Sequence, residues 1–437
     1  MMPDFSIQCA PVADTPIVAS KKEKPQTTVG IKDIMPLEKL TFAPPPEQPT
    51  QESVEGIRFD FNDGLRVRFP ESGEYRCVFT DLDTGCLLYS MDVAPGCTVA
   101  SVKKFYIRFG LEIYRKDQLK EPIFRHELNL AGKEVMIQLP VGALGDTVAW
   151  FSYVERFQRQ HGCKLTVSMA SYMADLFRDQ YPEIRFVTKE EAVKLAPYAT
   201  YNLGLFFGGD VNHQPFDFRQ VGLHRTAGHI LGVSDLSDIP PRVNLSAPRR
   251  ITEPYVVIAS QASSQCKYWN NPSGWREVVG ELKKRGYRVL CIDRMPEYGT
   301  DYTWNHIPYG CEDFTGDKPL QERIDIIKDA AMFIGLTSGL SWIAWCCRVP
   351  VILISGFTDP VNEFETPYRV QNFTVCHGCW NDMRCEFKHK EFLWCPRAKS
   401  DSGKFECTKA ITSKMVIDKI GMVEKNLEKN RTSCPEK

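Results

Sequence analysis

Five cysteines fall between Cys376 and Cys407, and four of them, Cys376, Cys379, Cys395 and Cys407, read as C-x2-C-x15-C-x11-C, the spacing of a closed tetrathiolate metal site. A C-x2-C turn offers two thiolates to one ion, and later cysteines complete the tetrahedron. The surrounding stretch from Thr374 to Glu406 is polar and aromatic (Trp380, Asn381, Asp382, Arg384, Lys388, Lys390, Trp394) and has no sustained helical or strand period. A metal would supply the folding energy that such a composition lacks. Disulfides are the alternative that spacing leaves open, and Cys385 stands outside the set of four. Zinc and iron both accept four sulfur ligands. Four protein ligands leave no open coordination position, so the site is expected to be structural and the chemistry is sought elsewhere.

Three junctions between an apolar strand and a helix carry groups that could act on a substrate. In Val141-Gly142-Ala143-Leu144-Gly145-Asp146-Thr147, Asp146 follows two glycines. An aspartate there can be an N-cap that satisfies free backbone N–H groups, or, at the carboxyl end of a parallel strand, a base that takes a proton from an attacking hydroxyl. In Gln261-Ala262-Ser263-Ser264-Gln265-Cys266-Lys267-Tyr268-Trp269, Lys267 stands among small hydroxyl residues such as Ser263 and suits an anionic group as a point charge, with a solvated surface lysine as the alternative. In Gly335-Leu336-Thr337-Ser338-Gly339-Leu340-Ser341, small residues precede a helix whose first N–H groups and dipole could hold a diphosphate.

Other motifs carry less. No G-x-x-x-x-G-K-[ST] phosphate loop and no H-E-x-x-H zinc motif is present. Asp81-Leu82-Asp83 is a D-x-D, but it runs into Thr84-Gly85 and reads as turn chemistry rather than a metal site. In His224-Arg225-Thr226-Ala227-Gly228 the histidine reads as a buried structural residue, while Arg225 could reach an anion.

The elements that must position these groups follow from periodicity. Residues 1–51 are rich in proline, lysine and threonine and are expected to be a disordered or loosely attached leader. Over 52–140, short alternating stretches (Ile57 to Phe59, Leu65 to Phe69, Tyr75 to Thr80, Cys86 to Ser90, Phe105 to Tyr114, Val135 to Leu139) are separated by turns and predict a small antiparallel sheet or barrel. From 141 onward helices alternate with apolar strands, the signature of a doubly wound α/β architecture. A first Rossmann-like half is expected over 141–241, with helices near Thr147 to His161 and Tyr172 to Gln180, and it ends at the Pro240-Pro241 linker. The second half, 242–373, is expected to hold strands at Tyr255 to Ser260, Tyr287 to Asp293 and Val351 to Ser355, with helices at Trp275 to Arg285 and Trp342 to Cys347. A metal finger over 374–407 and a C-terminal segment over 408–437, helical from about Lys409 to Leu427, complete an α/β protein whose two halves and cleft have the glycosyltransferase-B layout.

Composition sets bounds. With 437 residues, 43% of them hydrophobic, the chain can fill two or three domains, and 54 basic against 55 acidic residues give no pull toward nucleic acid. Met1 to Lys22 shows no apolar run after a basic start, and the longest apolar run is broken by Arg348 and Pro350, so neither a secretory signal nor a membrane span is expected. The 16 cysteines then fit a reducing cytoplasm.

At this point the chain resembles the ADP-heptose:heptosyltransferase superfamily, and within it the bacterial autotransporter heptosyltransferases of the TibC type. Leu144-Gly145-Asp146 is similar to the family's Gly-Asp turn with its proposed base, and Lys267 in Lys267-Tyr268-Trp269 is similar to the lysine of its K-x-W element. Thr337-Ser338-Gly339-Leu340-Ser341 resembles D-T-G-L-S-H, with Thr337 where aspartate is common and Trp342 where histidine is common. The segment Asp217 to Gly228 and the cysteine loop are the more specific matches.

The resemblance implies a β-rich N-terminal domain, two catalytic lobes, one structural iron (Fe3+) per chain with zinc as the alternative, and a large ring-shaped homo-oligomer, probably a dodecamer. It also implies cytoplasmic transfer of heptose from ADP-heptose to serines of an autotransporter adhesin. The mechanism expected is inverting and uses no catalytic divalent metal. Asp146 deprotonates the serine, and Lys267 with the helix start at Thr337, Ser338, Gly339 and Leu340 holds the departing diphosphate. Gly145, Thr147, Arg225 and Ser263 complete the expected substrate contacts, and Asp293, at a strand end, is expected at the ribose. Two rival readings are a non-catalytic, metal-stapled nucleotide-binding assembly protein and a transferase using another sugar nucleotide. The finger and the N-terminal sheet are additions to a core that two halves complete, so subunit contact and acceptor docking are their expected uses.

Overall fold

The computed structural model describes residues 42–140, 143–300, 302–397 and 400–432. Most of the expected leader, and Val141-Gly142 of the first junction, lie outside the described residues. The leader's last ten residues do not behave as a loose tail. Ala43 is buried and exchanges two hydrogen bonds with the Gln138 side chain (2.8 and 3.0 Å), while the carbonyls of Pro46 and Pro49 accept from Arg66 and Arg58. Prolines lack N–H groups but keep their carbonyls, and here these accept hydrogen bonds from arginines of the neighbouring hairpin.

The first lobe is built on an eight-stranded sheet with the order Arg185–Val187, Lys164–Ser168, Glu134–Gln138, Ala199–Asn202, Arg58–Asn62, Arg66–Arg68, Thr98–Ala100, and Gln51–Glu52 pairing Arg58–Asn62. Its first five strands run parallel, and the rest pair antiparallel. Three strands assigned from sequence to a separate N-terminal sheet therefore belong here. Glu134–Gln138 lies between Lys164–Ser168 and Ala199–Asn202 with four of its five residues buried, the continuous burial of a parallel strand covered on both faces. The hairpin from Arg58 extends the same sheet. Only Leu87–Val93, Tyr75–Asp81, Phe109–Arg115 and Phe124–Glu127 form the independent antiparallel sheet.

The second lobe is a six-stranded parallel sheet with the order Glu312–Asp313, Arg288–Cys291, Tyr255–Ala259, Phe333–Leu336, Val351–Ile354, Arg369–Val370. Every residue of Tyr255–Ala259, Phe333–Leu336 and Val351–Ile354 is buried, as strands between two helical layers require. The C-terminal helix Ser413–Thr432 buries Val416, Ile420 and Val423, one face at helical spacing, against this lobe. The helix expected at Tyr172 to Gln180 is broken. Ser171–Ala174 is followed by i→i+3 bonds (Leu176 to Met173, Phe177 to Ala174) and a 3-10 turn at Arg178–Gln180. No described helix is long and apolar enough to cross a membrane.

Candidate active site

Two helices, one from each lobe, meet at their first turns. Leu144–His161 leaves the strand Glu134–Gln138, and Gly339–Cys346 leaves Phe333–Leu336. A Cβ built on Gly339 would lie 2.8 Å from Leu144 Cβ and 3.1 Å from the Gly145 nitrogen, and one on Gly145 would lie 3.5 Å from Gly339 Cα. The Trp342 indole covers the other side of Gly145, with Cδ1 3.1 Å from that notional Cβ. Trp342 is 2% exposed and fills the seam with Phe364 (ring centroids 5.0 Å apart) and His224 (5.7 Å). Both helix starts, with their unpaired N–H groups and positive dipole ends, therefore border one place.

Asp146 stands in the first turn of the Leu144 helix, but the N-cap is Ala143 and no side chain caps the helix. The carboxylate is half-buried and has no hydrogen-bond partner among the described residues. Loss of hydration pushes its pKa up to about 6, and the charge of Lys267, from the other lobe, opposes the rise. Lys267 lies in the 3-10 turn Gln265–Lys267, with Nζ 3.5 Å from Ser263 Oγ and 5.6 Å from the centre of the Phe357 ring, and no carboxylate pairs with it among the described residues. The Lys267 charge thus acts on the Asp146 carboxylate across the lobe boundary, and neither group has an ion-pair partner among the described residues.

Around this pair, Ser338, Gly339 and Leu340 are half-buried at the second helix start and Ser263 is exposed. Thr337 is buried, and the buried Thr147 hydroxyl lies 3.5 Å from the Ala143 carbonyl inside its own helix. Two expected substrate contacts are spent on protein partners. Asp293 is 2% exposed; its Oδ2 accepts from Ser260 N and Oγ (2.9 and 2.8 Å) and Cys291 Sγ (3.1 Å), and its Oδ1 accepts from Gln261 N (3.1 Å). These bonds fix the turn that leads to Lys267 and bury the carboxylate in protein contacts. Arg225 pairs with Asp238 (3.1 Å) and Glu365 (3.5 Å); Asp238 also accepts from the buried His224 (2.7 Å) and from the Glu365 backbone (3.0 Å). This cluster ties the first lobe to the 360–365 segment of the second. Asp81 and Asp83 behave as turn residues: Asp81 accepts from Asp83 N and Thr84 Oγ1, and Asp83 pairs with Arg108.

The cysteine finger lies on the cleft, contrary to the separation expected from sequence. Its Phe392 carbonyl accepts from Gln265 N (2.9 Å) and Ser264 Oγ (3.0 Å) in the turn that carries Lys267. Gly378 N and Trp380 N donate to the carbonyls of Gly356 and Phe357, and Asn381 Nδ2 donates to the Arg219 carbonyl of the first lobe (2.7 Å). Cys266, Phe357, Trp394 and Phe405 form a buried cluster lined by Cys379, Cys385 and Cys395. Cys379 has Cys266, Cys385, Cys395 and Cys407 as neighbours, and Cys407 has Cys266, Cys376 and Cys395. Burial pushes the Cys379 and Cys407 thiols up, so metal binding would release protons. Thiols gathered in an aromatic pocket suit a soft, sulfur-bound ion, although among the described residues no three potential ligands already stand in coordinating geometry.

Sequence reasoning missed four residues here: Phe207, Phe357, Trp380 as a cleft wall, and His389. Of these, His389 had a signal, as a lone histidine between two lysines in a stretch already marked for its cysteines.

The family model for the N-terminal domain of glycosyltransferase TibC matches residues 54–117, and that for glycosyltransferase family 9 (heptosyltransferase) matches residues 235–392. The autotransporter heptosyltransferase BAHTCr of Citrobacter rodentium is 51% identical over 388 residues, 89% of this chain and 94% of its own. TibC of enterotoxigenic Escherichia coli is 50% identical over 391 residues, 90% of this chain and 95% of its own. Its crystal structure, described as iron-containing and dodecameric, superposes with a TM-score of 0.84 over 88% of this chain and 99% of that one. The complex of TibC with ADP-D-beta-D-heptose superposes with a TM-score of 0.85 over 88% and 100%. BimC of Burkholderia thailandensis, named an inactive autotransporter heptosyltransferase, is 39% identical over 377 residues, 86% of this chain and 88% of its own. The glycosyltransferase-B-like layout thus agrees with relatives that match along most of the sequence, and this chain belongs to the autotransporter heptosyltransferases, glycosyltransferases of family 9.

Proposed function

We propose that this protein transfers heptose from ADP-heptose to serine hydroxyls of an autotransporter adhesin, with inversion, in the cytoplasm. The observation that carries the reading is the Asp146 carboxylate: uncapped, facing Lys267 across the lobe boundary, and titrating near 6. A base should be largely ionised at working pH yet basic enough to accept a proton, and a value near 6 meets both needs. Asp146 takes the proton of the acceptor serine as its oxygen attacks the anomeric carbon from the face opposite ADP. Lys267, supported by Ser263, balances the diphosphate charge that grows as the glycosidic bond breaks. The helix start after Ser338, with the N–H groups of Gly339 and Leu340, and the first turn at Gly145 add fixed dipoles to that charge. Arg225 acts as an interlobe link and Asp293 as a positioning residue for the Lys267 turn.

Cys376, Cys379, Cys395 and Cys407 would hold one structural iron, the metal named for TibC, with zinc as the alternative. When bound, the ion supplies folding energy to the finger and no chemistry to the transfer. A dodecameric ring is proposed for this chain on its likeness to TibC.

The test is direct. Purified protein incubated with ADP-heptose and a serine-rich acceptor should release ADP in step with heptose on the acceptor. Turnover with a UDP- or GDP-hexose but not ADP-heptose would replace the donor. Donor binding without turnover would make the chain a non-catalytic nucleotide-binding protein.

A further inference from the structure

The finger does more than cover the cleft: it carries His389 into it. The segment is anchored on both sides of this residue, at Asn381 by the Arg219 carbonyl of the first lobe and at Phe392 by Ser264 and Gln265 of the second. Between these anchors the His389 imidazole stands edge-to-face against Phe387 (centroids 4.5 Å apart), Phe207 of the first lobe (5.7 Å) and Trp380 (6.3 Å). Phe207 and Trp380 also meet edge-to-face at 6.1 Å, so an aromatic corner built from the finger and the first lobe fixes the ring. The ring itself is exposed and has no hydrogen-bond partner among the described residues.

Lys267 relates this imidazole to the rest of the site, because its charge acts on Asp146 and on His389 alike. Desolvation and that nearby cation lower the His389 pKa to about 4, so the imidazole is neutral at physiological pH and keeps one N–H to donate. A histidine held by aromatic edges and without a hydrogen-bond partner among the described residues has its polar edge free for a ligand. The edge-to-face contacts with Phe387 and Phe207 set its orientation, as a binding group requires.

We propose that His389 is a further donor-site residue: its imidazole N–H donates a hydrogen bond to the diphosphate of the bound sugar nucleotide, beside Lys267, so that the finger completes the site. This rests on the reading of Lys267 as the diphosphate cation. It also gives the metal loop a direct stake in donor binding, since the fold of the loop sets where His389 stands.

The test uses the full-length, metal-loaded protein with ADP itself as the probe, by calorimetry, alongside turnover of ADP-heptose. His389→Ala should weaken ADP binding and lower kcat/KM about 10- to 100-fold, the usual worth of a hydrogen bond to a charged group, with metal content and particle size unchanged. His389→Gln, which keeps an N–H donor, should recover a substantial part of both. Wild-type ADP affinity and kcat/KM in His389→Ala would overturn the proposal. So would losses accompanied by released metal, or equal losses in the Ala and Gln variants, since either would make His389 a structural support only. If the wild type binds ADP but does not consume ADP-heptose, the heptosyl reading falls, while the ADP affinities of the two variants still decide the role of His389.

Discussion

Gly145 and Gly339 bring the backbones of two helices, one from each lobe, into contact: a Cβ on Gly339 would stand 3.1 Å from the Gly145 nitrogen and 2.8 Å from Leu144 Cβ. Neither glycine has a positive φ, so closeness and not backbone conformation excludes a side chain there. Gly339→Ala gains about 1 kcal/mol of helix propensity but must separate the two turns, and overpacking of this kind costs about 1–3 kcal/mol. We expect a lower Tm and a fall in kcat/KM, because Asp146 lies next to one glycine and the diphosphate helix start at the other. Calorimetry and steady-state kinetics check both; an unchanged Tm with normal kinetics would mean that the seam yields freely.

Asp146→Asn should lower turnover about 10²–10⁴-fold, the usual contribution of a general base. ADP affinity, measured by titration calorimetry, should stay close to wild type. The variant should at the same time be more stable near neutral pH. The folded carboxyl titrates near 6 against about 3.9 in the unfolded chain. The native state therefore holds the extra proton between those values, and stability falls as pH rises through that window. With the carboxylate partly open to solvent, the penalty above pH 6 is about 1–2 kcal/mol, and asparagine removes it. A variant no more stable than wild type at pH 7.5, with a full wild-type rate, would place the base elsewhere.

Lys267→Ala should weaken ADP binding and turnover together, by about 10- to 100-fold, because the charge is felt in ground and transition states alike. It should also move the pH dependence. Lys267 holds the Asp146 pKa down, so its removal lets that pKa rise further, and the acid limb of kcat/KM should shift to higher pH. An acid limb that stays in place would separate the two residues functionally.

Cys376→Ser, Cys379→Ser, Cys395→Ser and Cys407→Ser should each release the metal, as read by elemental analysis, and lower Tm, whereas Cys385→Ser should retain it. Because the finger is bonded to the Lys267 turn through Phe392, metal loss should weaken ADP binding as well as assembly. A metal-free variant with wild-type ADP affinity would show that the finger's contacts to the cleft survive without the ion.

The candidate groups of the proposed site could be named from sequence because local chemistry marks them. Asp146 after its glycines, Lys267 among small residues and Ser338-Gly339 before a helix are all strand-to-helix junctions, and parallel topology brings such junctions to one edge of each sheet. The buried strands Tyr255–Ala259 and Val351–Ile354 and the C-terminal helix were likewise written in apolar runs and a helical stripe. The cysteine spacing marked residues 374–407 as a candidate metal finger.

What the chain could not disclose locally is which partners meet. Alternation alone could not tell that Glu134–Gln138 pairs in parallel with Lys164–Ser168 and Ala199–Asn202 and not with the N-terminal hairpins, because pairing depends on connections made far along the sequence. Sequence alone could not tell that the strand-end carboxylate of Asp293 accepts from Ser260, Gln261 and Cys291, or that Arg225 pairs with Asp238 and Glu365. His389 became a candidate only because tertiary packing sets a finger residue against Phe207, a contact between rings 182 positions apart in the chain (389 − 207). Sequence thus determined which groups could do chemistry and which junctions carry them; the tertiary structure decided which of those groups face the cleft and which are consumed in holding its walls, because that depends on long-range contacts that no local pattern encodes.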